Sequence, residues 1–252
     1  MWADAGVDWA ALQQLYQRGY FFGAEYHDYL ADRRSIEKNF ARRLSTLRRY
    51  LEPSHTRLFE IGCAYGFFLN AARSSFKEVE GIDISEDAVN YATRTLGVKA
   101  VCGDLLTADL SDRWFDVVCL WDTIEHLADP RRYVEVAASH MPAGGLIAVT
   151  TGDISSLTAR IQKGRWRLIH PPTHLQYFTR TSLCRLLEDC GFRIVHVEYC
   201  GFSRSISGMV QNLVALRWQR PRAAAWLGSL VPAGLDLYLN LHDIIYIIAE
   251  RR

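Results

Sequence analysis

Short apolar runs and helical stripes alternate along most of this chain. Leu58-Phe59-Glu60-Ile61, Val79–Ile84, Val98–Cys102, Phe115–Trp121 and Leu146–Thr151 each have the length and composition of a buried strand. Helical patterns separate them. Phe67, Phe68, Leu69, Ala71 and Ala72 follow the first run. A stretch capped by Ser85, with Glu86 and Asp87 in its first turn, follows the second, and Arg131–His140 follows the fourth. Strands alternating with helices at this interval predict a parallel sheet with helices on both faces. Downstream, Leu183, Leu186, Leu187 and Cys190 mark an amphipathic helix that Thr179 or Thr181 caps and Gly191 stops. Two more strands follow, Phe192–Tyr199 and a strongly apolar Ile244–Glu250. Ahead of the first strand, Ile36, Phe40, Leu44, Leu47 and Leu51 form one face of a helix that Pro53 closes. Its other face carries Arg33, Arg34, Lys38, Arg42, Arg43, Arg48 and Arg49 against the acid Glu37. It reads as a solvated face, with attraction of an anionic substrate or membrane surface as the alternative.

Composition narrows the class. At 252 residues, 49% hydrophobic and 23% charged, the chain has the make-up of an ordinary globular protein with one α/β domain and appended segments. A net charge of +1 argues against a general polyanion binder. The six cysteines include no Cys-x-x-Cys pair and several sit in strand-like runs, which suits reduced thiols in a cytoplasmic protein. No signal peptide or membrane span is read from the hydropathy pattern.

The candidate chemistry begins at Leu58–Leu69. There a strand runs through Gly62 and Gly66 into a helix, a turn that lets backbone approach a ligand closely. The spacing is Gly-x-x-x-Gly. It is neither the Gly-x-Gly-x-x-Gly of a dinucleotide fold nor a phosphate-binding loop, since no Lys-Ser/Thr follows. Ligands of such sheets bind at the carboxyl ends of the strands, and four acids stand at or just beyond those ends: Glu60, Asp83, Asp104 and Asp122. Past the fourth strand lies Asp-Thr-Ile-Glu-His-Leu-Ala-Asp-Pro, residues 122–130, which carries Glu125 and His126. A long connection, residues 152–178, contains Trp166, His170 and His174, and connections of this length inside an α/β unit are commonly functional. His170 and His174 are separated by two prolines, so they cannot form a helical metal pair, and no metal is expected.

Leu58–Leu69 resembles motif I of the class I S-adenosylmethionine-dependent methyltransferases, Glu/Asp-x-Gly-x-Gly-x-Gly, with Ala64 in place of the middle glycine. The Glu-His-x-x-Asp-Pro segment at residues 125–130 is similar to a signature shared by small-molecule members, including quinone-biosynthesis and sugar-modifying enzymes. The resemblance implies a Rossmann-like, doubly wound seven-stranded α/β sheet closed by an antiparallel hairpin. It further implies that Glu60, Gly62, Cys63 and Gly66 surround the methionyl part of S-adenosylmethionine. Asp83 and Ile84 would lie at the ribose, Gly103, Asp104 and Leu105 at the adenine, and Trp121 and Asp122 on the far side. His126 and His174 are the candidate catalytic bases. Tyr26, Glu125 and Trp166 are candidate contacts to a small-molecule acceptor.

The expected organisation is an N-terminal helical and aromatic segment (1–54) covering the site, then a transferase domain (55–252) with a lid-like insert at about 201–243. That insert could alternatively serve as an interfacial or dimer contact, so a homodimer remains open. The expected reaction is methyl transfer to a hydroxyl of a sugar or other secondary metabolite, with N- or C-methylation as the alternative. A non-catalytic binding module would be expected to lose the acids. A nicotinamide oxidoreductase would need the absent glycine fingerprint. Nucleic acid is not the expected partner, because no Asn/Asp-Pro-Pro-Tyr follows the fourth strand.

Overall fold

The computed structural model describes residues 29, 30, 32–206 and 236–252. Among them a seven-stranded sheet runs in the order β3-β2-β1-β4-β5-β9-β6. Its members are β1 (Arg57–Ile61), β2 (Glu78–Asp83), β3 (Lys99–Cys102), β4 (Val117–Trp121), β5 (Leu146–Gly152), β6 (Phe192–Tyr199) and β9 (Ile244–Arg251). The first five pair in parallel, and β9 inserts antiparallel between β5 and β6. The strand order reverses between β1 and β4, which opens the crevice where such sheets hold ligands. β4 and most of β9 are buried along their length, as central strands covered on both faces must be.

The helices are α1 (Arg33–Leu47), α2 (Phe67–Ala72), α3 (Glu86–Arg94), α4 (Pro130–Ser139), α5 (Leu157–Gln162) and α6 (Arg180–Asp189). Their ends follow local chemistry. Ser85 accepts from the Ala88 N–H at the start of α3, and Thr179 forms a capping box with Ser182 at α6. On one face Phe67, Phe68 and Leu69 pack with Phe40, Leu44 and Leu47 of α1. On the other, Val134, Leu183 and Leu187 pack against Phe59, Val118 and Ile147. Each fully buried side chain of this size contributes about 1.5–3 kcal/mol of transfer free energy.

Between β6 and β9, the described ends of the 201–243 insert pair as a two-stranded antiparallel ribbon, β7 (Phe202–Ser205) with β8 (Asp236–Leu239). The rest of the insert lies outside the described residues. No described helix is long and apolar enough to cross a membrane.

The basic face of α1 is solvated as expected at Arg34, Arg42, Arg48 and Arg49, but it also carries specific contacts and one buried member. Lys38 pairs with Asp236, Arg42 donates to Ser203 Oγ at 2.7 Å and stacks over Tyr238, and Arg48 donates to Ser74 and Ser75. Arg43 is buried. The ribbon and the sheet supply acceptors where the linear pattern showed only a run of like charges.

Candidate active site

A cavity of about 350 Å³ opens at the carboxyl ends of β1, β2, β3 and β4, within the size range of small-molecule sites. Its floor is the turn after β1. Gly62 and Gly66 hold φ of +76° and +74°, and a Cβ on Gly62 would stand 2.5 Å from Thr123 Oγ1. Both glycines are therefore required by shape as well as by backbone conformation. Ala64 between them holds φ +44°, a left-handed conformation that costs an L-residue energy.

Glu60 is 1% exposed, and its Oε2 has no hydrogen-bond partner among the described residues. Burial, together with the charge of Asp83, pushes its carboxyl well above the usual range. Asp83 accepts from the Ala64 N–H at 2.8 Å and the Ser85 N–H at 2.9 Å. Burial raises its pKa, and those amides oppose the rise. A carboxylate has about four acceptor sites, so two amide bonds leave capacity toward the cavity. Asp104 accepts from the Leu106 N–H at 2.9 Å and from the Tyr133 hydroxyl at 2.6 Å. Trp121 stands edge-on to Phe68 and Tyr246, and its Nε1 is a buried donor without a partner among the described residues. Asp122, at φ +50°, accepts from Thr150 Oγ1 at 2.9 Å and from Arg43 at 2.7 Å. Enclosure works against the Asp122 charge, but Arg43 and Thr150 more than offset it and hold its pKa below the ordinary value.

At the other end of the cavity three polar side chains meet. The Leu175 and Gln176 N–H groups both donate to the Glu125 carbonyl at 2.9 Å, which pins residues 173–176 to the short 3₁₀ turn Ile124–His126. Thr151 Oγ1 donates to Glu125 Oε2 at 2.8 Å. His126 Nδ1 lies 2.9 Å from the Thr173 carbonyl, and His174 Nδ1 lies 2.9 Å from the Leu168 carbonyl. A carbonyl only accepts, so each Nδ1 carries a proton. The two rings are edge to face, 4.6 Å between centroids. Burial lifts the Glu125 carboxyl to about 7, against the opposing pull of His174.

Ten of the eleven expected cofactor residues, Glu60, Gly62, Cys63, Asp83, Ile84, Gly103, Asp104, Leu105, Trp121 and Asp122, line this one cavity. Gly66 instead starts α2, packed against Ala92 and Val98. Glu125, His126 and His174 line the cavity too. Tyr26 lies outside the described residues. Trp166 is 2% exposed, donates through Nε1 to Asp243 at 2.9 Å and does not line the cavity. The neighbouring Arg167, held by Asp243, reaches the wall in its place. Arg43, Thr123 and Tyr133 also line the cavity and have no assigned role in the linear pattern. Tyr133, in the first turn of α4, carried no sequence signal, and Arg43 was masked by its basic neighbours.

Comparison with known proteins agrees with this geometry. The family model described as a methyltransferase domain matches residues 29–197. A probable S-adenosylmethionine-dependent methyltransferase of Mycobacterium tuberculosis is 30% identical over 225 residues, covering 82% of this chain and 80% of that protein. The dTDP-3-amino-3,6-dideoxy-alpha-D-glucopyranose N,N-dimethyltransferase of Streptomyces fradiae is 30% identical over 152 residues, 58% of this chain and 54% of that enzyme. Among solved structures, magnesium protoporphyrin IX methyltransferase from Synechocystis PCC 6803, with bound S-adenosylhomocysteine, has a TM-score of 0.63 at 14% identity, covering 97% of this chain and all of that one.

The site fits S-adenosylmethionine on its own terms. A buried carboxyl oxygen without a partner, beside a turn closed to any Cβ, suits a ligand that brings an ammonium and a sulfonium. Sequence, fold and site chemistry agree: the chain belongs to the methyltransferase-domain family and is a class I S-adenosylmethionine-dependent methyltransferase.

Proposed function

We propose that this enzyme methylates a hydroxyl oxygen of a small molecule, with sugars and other secondary metabolites as the acceptor class. The observation that carries the reading is continuity. A single cavity has Glu60, Asp83 and Asp104 at one end and Glu125, His126 and His174 at the other. Groups suited to a cationic donor and groups suited to an acceptor's proton therefore share one enclosed volume.

When bound, S-adenosylmethionine supplies an activated methyl group on a positively charged sulfur. The chain's own residues do the rest. Glu60, Asp83 and Asp104 hold and orient the donor, and Trp121 with Phe40 keeps water from that end of the cavity. His126 and His174 take up the proton of the acceptor hydroxyl, and Glu125 steadies the charge that results. Helix α1 and the β7–β8 ribbon, the described parts of the N-terminal segment (1–54) and of the insert at 201–243, border the cavity of the 55–252 transferase domain. Supporting this, Arg43 of α1 and Phe202–Arg204 of the ribbon line the same cavity.

A second reading, an amine acceptor, is favoured by the Streptomyces fradiae relative, whose name places its chemistry on an amino sugar. A neutral amine presents its own lone pair and needs less help from a base. Transfer of labelled methyl from S-adenosylmethionine to a panel of hydroxylated and aminated sugars and phenols separates the two. Oxygen-linked label, lost by about 10²–10⁴-fold in His126→Ala and His174→Ala, supports the first reading. Nitrogen-linked label that survives both substitutions supports the second, and no transfer to any small molecule overturns both.

A further inference from the structure

The polar end of the cavity has a feature that general-base chemistry does not require. One donor atom each from Glu125, His126 and His174 lies within 4.8 Å of the other two. The three come from two segments 48 residues apart that backbone hydrogen bonds lock together, through Leu175 and Gln176 N–H on the Glu125 carbonyl. Each imidazole gives its Nδ1 proton to a main-chain carbonyl. That arrangement fixes ring orientation and makes Nε2 the ligating nitrogen of each ring, as is usual for metal-bound histidine. The carboxylate is oriented in turn by Thr151, which occupies Oε2. A base needs one such nitrogen. Two oriented imidazoles converging on an oriented carboxylate make a three-ligand face.

We propose that Glu125, His126 and His174 bind a divalent first-row transition-metal ion that holds and activates the acceptor hydroxyl. Two imidazoles and one carboxylate suit Zn²⁺, Co²⁺, Mn²⁺ or Fe²⁺ better than Mg²⁺, which prefers an all-oxygen octahedron. Three protein ligands leave coordination positions open, and all three residues line the cavity, so the open side meets the acceptor.

The inference rests on reading this end of the cavity as the acceptor side. It deepens that reading by replacing proton uptake on a histidine with coordination. The hydroxyl oxygen binds the ion, its O–H bond breaks at neutral pH, and the proton passes to solvent. The metal-bound oxygen then forms the O–C bond with the donor's methyl while the C–S bond breaks, its electron pair remaining on sulfur. The ion keeps its oxidation state, so no oxidant or reductant enters. The acceptor class narrows accordingly, to molecules with an exposed hydroxyl and preferably a second oxygen beside it that can share the ion.

The test uses the full chain, stripped with chelator and titrated with Co²⁺ while visible absorption and heat are recorded. The proposal expects about one equivalent bound, with d–d absorption typical of nitrogen and oxygen ligands. In Glu125→Gln and His174→Ala binding should weaken by at least about 100-fold, the upper end of what even outer-shell changes cost. His126→Gln, at the least buried of the three positions, should weaken it likewise and serves where the other variants fail to fold. No absorption and no heat with the wild-type chain overturns the proposal. So does binding that all three variants retain, or a thiolate charge-transfer band that places the ion on a cysteine such as Cys102. S-adenosylhomocysteine is titrated in parallel. Its failure to bind would sink the transferase reading while leaving the Co²⁺ result standing, and the converse would sink only the metal.

Discussion

The Arg43 guanidinium of α1 lies 2.7 Å from Asp122 Oδ2 at the carboxyl end of β4. The pair joins a helix that precedes the sheet to the strand end that forms the cavity wall. It sits beside Trp121, whose ring Arg43 overlies at 5.6 Å. Through it α1 becomes part of the cavity wall. The pair also distinguishes two cavity acids, because Asp122 is paired directly with Arg43 while Glu60 Oε2 has no hydrogen-bond partner among the described residues.

Replacing Arg43 with Met keeps the aliphatic stem and removes the charge. Loss of about 1–3 kcal/mol at neutral pH is expected. That is below the 3–5 kcal/mol of a fully buried pair, since the Asp122 side chain is 41% exposed. The pH dependence has a definite sign. Asp122 has a depressed pKa in the folded state, so its contribution is present above the unfolded carboxylate value of about 4 and disappears as pH falls through the folded value. Urea denaturation at pH 7, 5 and 3 should therefore show a smaller acid loss for Arg43→Met than for the wild type. Parallel curves would remove the pair from the account.

Glu60 makes a thermodynamic prediction about cofactor binding. Its carboxyl is held well above the usual range by burial and by Asp83. A cationic ligand stabilises the ionised form, so binding should release a proton, and affinity should rise with pH through the titration of Glu60. Calorimetry of S-adenosylmethionine binding in two buffers of different ionisation enthalpy measures that proton directly. Glu60→Gln should abolish the release and weaken binding by about tenfold or more, the worth of one charge-assisted hydrogen bond.

The glycine turn predicts opposite outcomes for two small changes. Ala64 at φ +44° carries left-handed strain that glycine would not. Ala64→Gly should raise stability by about 0.5–1 kcal/mol, the strain relieved less the extra unfolded-state entropy of glycine. Gly66→Ala adds a Cβ that would stand 2.9 Å from Ala92 and Val98, at φ +74°. It should cost about 1–3 kcal/mol. Thermal melts of the two variants give the comparison, and a destabilised Ala64→Gly would contradict the strain argument.

Tyr133 anchors Asp104 in the cavity wall. Its hydroxyl donates to Asp104 at 2.6 Å, and it is the only described side chain hydrogen-bonded to that carboxylate. Tyr133→Phe should weaken S-adenosylhomocysteine binding by about 3–10-fold, one neutral-to-charged hydrogen bond partly replaced by water, and leave the melting curve cooperative. Unchanged affinity would show that Asp104 needs no such anchor.

The sequence by itself determined the sheet, the acids and glycine that line one end of the cavity, and the family. Those features are local. A strand, its terminal acid and the following turn are contiguous, so Glu60 with Gly62, and Asp83 with the Ser85 cap, are fixed by short-range chemistry and legible in a line of residues. The closing strand β9 was legible for a related reason: six apolar residues in a row admit few fates other than a central strand.

Tertiary structure decided what depends on segments far apart in the chain. Arg43 and Asp122 are 79 residues apart, and nothing in a basic helix tells which arginine turns inward. His174 meets Glu125 and His126 only because two amides of its loop bond the Glu125 carbonyl. Read along the chain, its nearest histidine was His170, across two prolines, and the metal-ligand geometry was invisible. Trp166 ran the other way: a loop aromatic in sequence, it is an interior residue in space because Asp243 offers its indole N–H a buried acceptor. Local patterning sets which elements form, while the long-range satisfaction of buried polar groups selects the side chains that face the cavity.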